Sequence, residues 1–197
     1  MANANPQNLR DQILDAAEEL FSEKGYAGTS IEEIIEKAGC SKSTFYHYFD
    51  SKDEVSSAPD MFDRRYTVWY EKVKDKGLSS LELLRELTEV FLQCNEEIYD
   101  MDRAIAICRH QLSKKGVDYM SGLRPYNRII RTIMQEGQKK GEIRSDISFV
   151  ELSKILSLAH RGMLFDWCMS GGTYSFREFG IRSMDVLLEG FRAKDQE

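Results

Sequence analysis

Hydrophobic residues recur at helical spacing along almost the whole chain. The first apolar stripe comprises Ile13, Ala16, Ala17, Leu20 and Phe21. Residues three or four positions apart lie on one face of a helix, and Gly25 is a typical C-terminal cap for this one. No segment has the polar and apolar alternation of a half-buried strand. The pattern therefore predicts an all-α protein.

Helix start signals divide the segment that follows. They are the capping boxes Ser30 with Glu33 and Ser51 with Glu54, and the N-cap Ser41. The turn between the two short helices contains Gly39. Two short helices joined by such a turn are typical of a helix-turn-helix, whose second helix can enter the major groove of DNA.

Longer helices are predicted beyond residue 55. The fourth helix runs to about residue 76, and Pro59 either kinks it or marks its true start. The remaining helices are expected at about 79–100, 104–114, 119 or 125 to 140, 148–169 and 175–193. The chain is therefore predicted to contain about nine helices.

The third helix separates its side chains into two faces. Phe45 and Phe49 are four residues apart and point inward, with Tyr48 on their flank. The outward face carries an ammonium, a hydroxyl, a phenol and an imidazole, from Lys42, Ser43, Tyr46 and His47. All of these groups can bind phosphate oxygens or base edges, so this face is the predicted DNA-binding surface. Lys52 follows at the start of the fourth helix, where it can hold a backbone phosphate.

Residues 9–55 resemble the N-terminal signature of the TetR family. The elements that carry the resemblance read Gly25-Tyr26-Ala27-Gly28-Thr29-Ser30, Ala38-Gly39-Cys40-Ser41, Phe45-Tyr46-His47-Tyr48-Phe49 and Ser51-Lys52. The resemblance implies an N-terminal three-helix DNA-binding domain over residues 1–52. It also implies a larger C-terminal helical domain over residues 53–197 that binds an effector and dimerises. The DNA contacts that it implies come from Ser30, Lys42, Ser43, Thr44, Tyr46, His47 and Lys52.

The charge distribution opposes this interpretation at first sight. Residues 1–55 carry five basic and eleven acidic residues, so the whole net charge of −6 lies in the candidate DNA-binding segment. Docking, however, depends on the sign of the contacting face rather than on the net charge. Between Gly39 and Phe49 the only charged residue is Lys42, which leaves this face free of carboxylates.

No pattern of catalytic or metal-binding residues is present in the sequence. The chain lacks the spacings typical of zinc sites, metalloproteases, nucleophilic serines and phosphate-binding glycine loops. We therefore expect no enzyme activity, no metal and no cofactor. The four cysteines lie far apart and are interpreted as core residues, with a redox pair of Cys94 and Cys108 as the alternative.

Aromatic, methionine and histidine side chains in the middle of the chain are candidates for an effector pocket. They are Tyr66, Trp69, Phe91, Tyr99, Met120, Tyr126, Met134, His160, Met163 and Trp167. Each of them can equally belong to the core or to a dimer interface. The pairs Arg109-His110 and Lys114-Lys115 are interpreted as a solvated face.

The last two helices are predicted to form a two-fold dimer because both carry broad apolar stripes. The stripes comprise Leu152, Ile155, Leu156, Ala159, Gly162 and Met163 in one helix, and Phe176, Phe179, Met184, Leu187, Leu188 and Phe191 in the other. The leading hypothesis is a cytoplasmic, homodimeric repressor that binds operator DNA, does not enter membranes and is released by a small apolar or aromatic effector. The alternative is a helical ligand-binding or adaptor protein whose helix-turn-helix no longer binds DNA. A gel-shift measurement separates the two.

Overall fold

The computed structural model describes residues 6–98, 100–113 and 124–193. These residues form ten helices: α1 Pro6–Lys24, α2 Ile31–Ala38, α3 Lys42–Tyr48, α4 Lys52–Ser56, α5 Pro59–Val73, α6 Ser80–Ile98, α7 Met101–Ser113, α8 Pro125–Lys140, α9 Phe149–Met169 and α10 Phe176–Glu189. Apart from one antiparallel bridge between Ile143 and Arg192, the described residues make no β-pairing. The predicted all-α fold is confirmed. No helix in these ranges is long and apolar enough to cross a bilayer.

Pro59 accounts for the extra helix. The sequence left open whether this residue kinks a long fourth helix or starts a new one. It starts a new one, because α4 ends at Ser56 and α5 begins at Pro59. Proline is favoured at the first position of a helix, because a backbone N–H there has no acceptor within the helix and its absence costs no hydrogen bond.

The helix-turn-helix forms through the capping signals present in its sequence. The Ser30 side chain accepts a hydrogen bond from the Glu33 backbone N–H, while the Glu33 carboxylate accepts one from the Ser30 backbone N–H at 2.8 Å. Gly39 ends α2 with φ at 64°, in the left-handed region that glycine adopts without strain. The Ser41 side chain then caps α3 by accepting from the Thr44 backbone N–H.

The chain divides into two compact units that are not consecutive in sequence. One unit comprises Met1–Met61 and Ile98–Gly116, and the other comprises Phe62–Glu97 and Val117–Glu197. The first unit therefore contains α7 in addition to α1–α4. Its core is a cluster of apolar side chains from α1–α4 and α7, including Ile13, Leu20, Phe21, Ile34, Phe45, Phe49, Val55 and Ala106. In the second unit, α9 packs against both α8 and α10.

Candidate DNA-binding face and sensing unit

Helix α3 presents a polar face to solvent and an aromatic face to the core. Phe45 and Phe49 are buried, whereas Lys42, Ser43 and His47 are exposed. Tyr46 is 45% exposed, and its phenol makes no hydrogen bond with a described residue. The separation of faces predicted from the sequence is thus confirmed. DNA contact by the outward residues stays a prediction.

The three serine and threonine candidates already hold hydrogen bonds within the motif. Ser30 donates its hydroxyl to the Glu33 carboxylate at 2.9 Å as part of the capping box. The Ser41 hydroxyl lies 2.8 Å from both the Ser43 and the Thr44 hydroxyls at the start of α3. Their first role is therefore to hold the two helices in position, and contact with DNA has to be compatible with these bonds.

The Lys52 side chain lies against the loop between α1 and α2 and does not extend freely into solvent. Its ammonium donates to the backbone carbonyls of Tyr26 and Thr29, both at 2.7 Å. The same ammonium lies 4.1 Å from the centre of the Tyr26 ring, within range of a cation–π interaction. Burial lowers the pKa of Lys52, against the raising effect of Asp53, Asp100 and Glu33. Lys52 thus joins the loop between α1 and α2 to the start of α4.

Helix α7 begins at the loop that joins α1 to α2. The Asp100 carboxylate, just before α7, accepts from the Tyr26 backbone N–H at 2.7 Å. It also accepts from the Arg103 backbone N–H at 2.8 Å and so caps α7. Gly25 has φ at 74°, and any Cβ there would lie 2.9 Å from the Asp100 carboxylate. The close approach of α7 therefore requires glycine at this position.

Arg103 extends from α7 into the core of the first unit. Its side chain is 2% exposed, and its guanidinium contacts the Glu18 carboxylate at 2.6 Å. It also donates to the Ser56 hydroxyl at 3.1 Å and lies 4.6 Å from the centre of the Phe21 ring. A buried cation is stable only when it is paired and hydrogen-bonded. These contacts join α7 to both α1 and α4.

A second polar link joins α7 to the start of α4. Arg109 donates to the Asp53 carboxylate at 2.6 and 3.0 Å, and the Tyr26 phenol donates to the same carboxylate. Burial favours the neutral form of Asp53, but the hydrogen bonds from Tyr26 and Arg109 lower its pKa. Burial and the Asp53 carboxylate raise the pKa of Tyr26.

These contacts explain part of the acidic excess in the N-terminal segment. Arg103 and Arg109 of α7 pair with Glu18 and Asp53, which lie far from them in sequence. Lys24 pairs with Glu33 within the motif. Several acids therefore stabilise the fold of the first unit, and none of these pairs lies on the outward face of α3.

The model of the bacterial regulatory proteins of the tetR family matches residues 13–58, which span the helix-turn-helix described above. This segment of the chain is therefore similar to the DNA-binding domain of the tetR family. The helix-turn-helix-type transcriptional repressor KstR2 of Rhodococcus jostii is 27% identical over 193 residues, covering 92% of this chain and 90% of that protein. The repressor KstR2 of Mycolicibacterium smegmatis is 24% identical, covering 95% of this chain and 92% of that protein.

Solved structures share the fold of this chain over nearly its whole length. Thermus thermophilus FadR, in complex with lauroyl-CoA, is 21% identical with a TM-score of 0.73, covering 95% of this chain and 97% of that one. A TetR-family regulator from Pectobacterium atrosepticum is 18% identical with the same TM-score, covering 100% of both chains. At these identities the likeness concerns the fold alone.

Five of the predicted pocket residues form an aromatic cluster in the second unit. Tyr66 lies 4.8 Å from Tyr126 between ring centres, and Phe91 stacks on His160 at 4.4 Å. Trp167 extends the cluster through Phe176, at 5.3 Å. All but Trp167 are buried, as is Met134, whereas Trp69, Met163 and Trp167 are half-buried. Tyr99 and Met120 lie outside the described residues.

His160 is a neutral, fully bonded member of this cluster. The Thr88 hydroxyl donates to the Leu84 carbonyl at 2.9 Å, so it has a lone pair available to accept from His160 Nε2–H at 3.0 Å. The other ring nitrogen, Nδ1, can then accept from the Tyr126 phenol. Burial, assisted by the charge of Arg161, lowers the pKa of His160 to about 3. The imidazole therefore organises the core.

Two predictions about exposed faces were wrong. His110 of α7 is 6% exposed and belongs to the interior rather than to a solvated face; Lys114 and Lys115 lie outside the described residues. Six residues of the predicted dimer stripes are buried within their own chain: Leu152, Leu156, Phe176, Met184, Leu188 and Phe191. Phe179 is exposed and does belong to the predicted stripe. The other exposed large apolar side chains of α9 and α10 are Val150, Leu158, Phe165, Met169 and Val186, which the prediction did not include.

A polar cleft between α8 and α9 has no counterpart in the sequence predictions. Its volume is about 220 Å³ and its lining comprises Asn127, Arg131, Val150, Ser153, Lys154, Ser157 and Arg161. The predicted pocket residues are chiefly aromatic and methionine side chains, whereas cations and hydroxyls line much of this cleft. The available signal was the spacing of residues 150, 154, 157 and 161, which lie on one helical face.

Proposed function

We propose that the protein is a ligand-responsive transcriptional repressor that binds operator DNA through the outward face of α3. The observation that carries the proposal is the exposure of Lys42, Tyr46 and His47 on a helix whose aromatic face is buried. Exposed hydrogen-bonding side chains on the second helix of such a motif suit the major groove. The relatives described as repressors over nine-tenths of the chain support the same function.

Tyr46→Ala tests this face directly. We expect the variant to lose about 1–3 kcal/mol of operator affinity, because the substitution removes a specific contact between Tyr46 and the DNA. Its melting temperature should hardly change, since the phenol bonds to no described residue and the ring is 45% exposed. Gel shifts with the DNA flanking the gene, together with thermal denaturation, give both quantities.

The matched control for this test is Lys139→Ala. Lys139 is an exposed lysine of α8, in the second unit, whose side chain pairs with Glu136 on its own helix. Its replacement should leave operator affinity unchanged. Wild-type affinity in the Tyr46 variant would exclude this docking face. If the wild-type protein shifts none of the flanking DNA, the adaptor with a degenerate helix-turn-helix is favoured instead.

The repressor is proposed to act as a two-fold dimer through α9 and α10. Leu158, Phe165 and Met169 lie on one stripe of α9, and they are 61%, 41% and 74% exposed. Phe179 and Val186 add a second exposed stripe on α10. Exposed apolar stripes of this kind favour association. A two-fold dimer also predicts a palindromic operator with half-sites roughly 34 Å apart.

Leu158→Glu should weaken the dimer at least tenfold, because a two-fold axis brings both introduced charges to one apolar interface. Val68→Glu is the matched control, since Val68 is 49% exposed on α5, a helix that carries neither stripe. Light scattering over a concentration series measures both. A wild-type protein that is monomeric at micromolar concentration contradicts the dimer.

The effector is proposed to be a small molecule with an apolar or aromatic part. The aromatic cluster around His160 offers rings and no ionised group, which suits such a part once the cluster opens. Solved relatives of the same fold include a Bacillus subtilis FadR in complex with stearoyl-CoA. An effector need favour the DNA-incompetent form by only about 1–3 kcal/mol to act as an inducer.

Helix α7 offers a route from the effector to DNA. It packs in the first unit through Asp100, Arg103 and Arg109, yet along the chain it follows α6 and precedes α8 of the second unit. A change in the second unit that displaces α6 or α8 therefore also displaces α7, which packs in the core of the first unit together with the DNA-binding motif. This link adds to the direct chain connection from α4 to α5.

A further inference from the structure

The cleft between α8 and α9 is lined by three cations. Arg131 lies on α8, and Lys154 and Arg161 lie on α9, with no carboxylate in the lining. Glu151, one turn before Lys154, is exposed and forms no ion pair with it. The cleft is therefore a concentration of positive charge in a chain whose net charge is −6.

The three cations of the cleft lack ion-pair partners among the described residues. None of the three forms an ion pair with a residue that the structure describes, whereas Arg124 at the start of α8 contacts Asp63 at 3.1 Å. Arg161 is half-buried. Burial lowers the pKa of its guanidinium, and repulsion by Arg124 adds to this effect. A partly buried, unpaired cation is unfavourable until an anion binds.

The neighbouring polar groups leave the cations as the principal donors to a ligand. The Ser153 hydroxyl donates to the Phe149 carbonyl at 2.6 Å, and the Ser157 hydroxyl donates to the Asn127 side-chain oxygen at 3.3 Å. Guanidinium groups bind phosphate oxygens in pairs, and an ammonium adds a point charge. A cleft of about 220 Å³ is smaller than the 300–1,000 Å³ typical of sites that enclose a whole drug-sized ligand.

We propose that the cleft between α8 and α9 binds the phosphate groups of an organic phosphate effector. Three cations match the charge of a pyrophosphate or a phosphate monoester better than that of a single carboxylate. The proposal deepens the ligand-responsive function proposed above and rests on it. The apolar part of the same effector would then lie outside the cleft.

The test measures the binding of inorganic pyrophosphate and of coenzyme A by calorimetry. The wild-type protein should bind each probe with one site per chain. Lys154→Ala and Arg161→Met should each weaken binding at least tenfold, because each removes one charged donor. Arg128→Ala is the matched control, since Arg128 is an exposed cation of α8 outside the cleft. It should bind the probes as the wild type does.

Gel shifts and light scattering on the same samples separate the outcomes. If neither probe binds while the protein still shifts DNA, the cleft proposal fails and the repressor function stands. Equal binding by the wild type and both cleft variants places the site elsewhere and overturns the proposal. If Lys154→Ala changes the dimer and no probe binds, carboxylates of a second copy fill the cleft, and the proposal is again overturned.

Discussion

Arg103→Ala should lower the free energy of unfolding by about 3–5 kcal/mol, the loss typical of breaking a buried ion pair from one side. The substitution leaves the Glu18 carboxylate without its partner at 2.6 Å and the Ser56 hydroxyl without its donor at 3.1 Å. It also opens a cavity beside the Phe21 ring. Urea denaturation followed by circular dichroism measures the loss.

Arg109→Ala is the matched control on the same helix. Its side chain is 65% exposed and pairs with Asp53, and exposed pairs contribute about 0.2–1 kcal/mol. The double variant Arg103→Met with Glu18→Gln should recover part of the stability, because it removes both charges together. Equal losses in Arg103→Ala and Arg109→Ala would show that α7 is not anchored through Arg103.

The contrast between these two arginines bears on function as well as stability. If α7 transmits the effector signal, a loosened α7 should leave the intact motif able to bind DNA but weaken its response to the effector. Arg109→Ala, which removes one link and keeps the core, is the variant suited to that comparison. Arg103→Ala affects the fold of the whole first unit and therefore both properties.

The helix-turn-helix was predictable from the sequence because its signals are local. Ser30 with Glu33 forms the capping box, and Ser41 caps α3, at the predicted positions. The inward and outward sides of α3 follow from helical periodicity alone, with Phe45 buried and Tyr46 exposed. Neighbouring residues determine such features, so no information on tertiary contacts was needed.

The place of α7 was not predictable in this way. The segment Met101–Ser113 has an amphipathic pattern, but a pattern does not identify the surface against which a helix packs. Arg103 has as its partner Glu18, 85 residues away. A lone arginine in a helix is ordinarily solvated, and only the tertiary structure shows that this one is buried.

In the second unit, too, the sequence predicted only part of the arrangement. Residue type predicted burial for Tyr126 and Phe91 correctly, but it did not distinguish a packed core from a cavity wall. In the described residues the aromatic side chains pack on one another, while the cleft is lined largely by charged and hydroxyl side chains such as Lys154 and Ser157. A cavity is the space that side chains leave, and the spacing of residues in one helix does not determine it.

Lys52→Ala should lower the free energy of unfolding by about 2 kcal/mol, because hydrogen bonds from a charged group contribute about 1.5–3 kcal/mol each and this site is only partly buried. The substitution removes the donor to the Tyr26 and Thr29 carbonyls and the cation over the Tyr26 ring. Lys42→Ala is the matched control. Its ammonium is 67% exposed and lies 3.6 Å from Glu32, so stability should stay within about 0.5 kcal/mol of the wild type.

The Lys42 and Lys52 variants should differ in stability but should show the same change in the salt dependence of DNA binding. An ammonium has three N–H donors, and two from Lys52 are held by carbonyls, which leaves the third for a phosphate. Each phosphate contact contributes about 0.9 to the slope of log affinity against log salt concentration. Both Lys42→Ala and Lys52→Ala should therefore reduce that slope by about one, measured well below the melting temperature. If Lys52→Ala loses stability but keeps the wild-type slope, this lysine stabilises the fold and does not contact a phosphate. If Lys52→Ala is as stable as the wild type, the two hydrogen bonds to the carbonyls are contradicted.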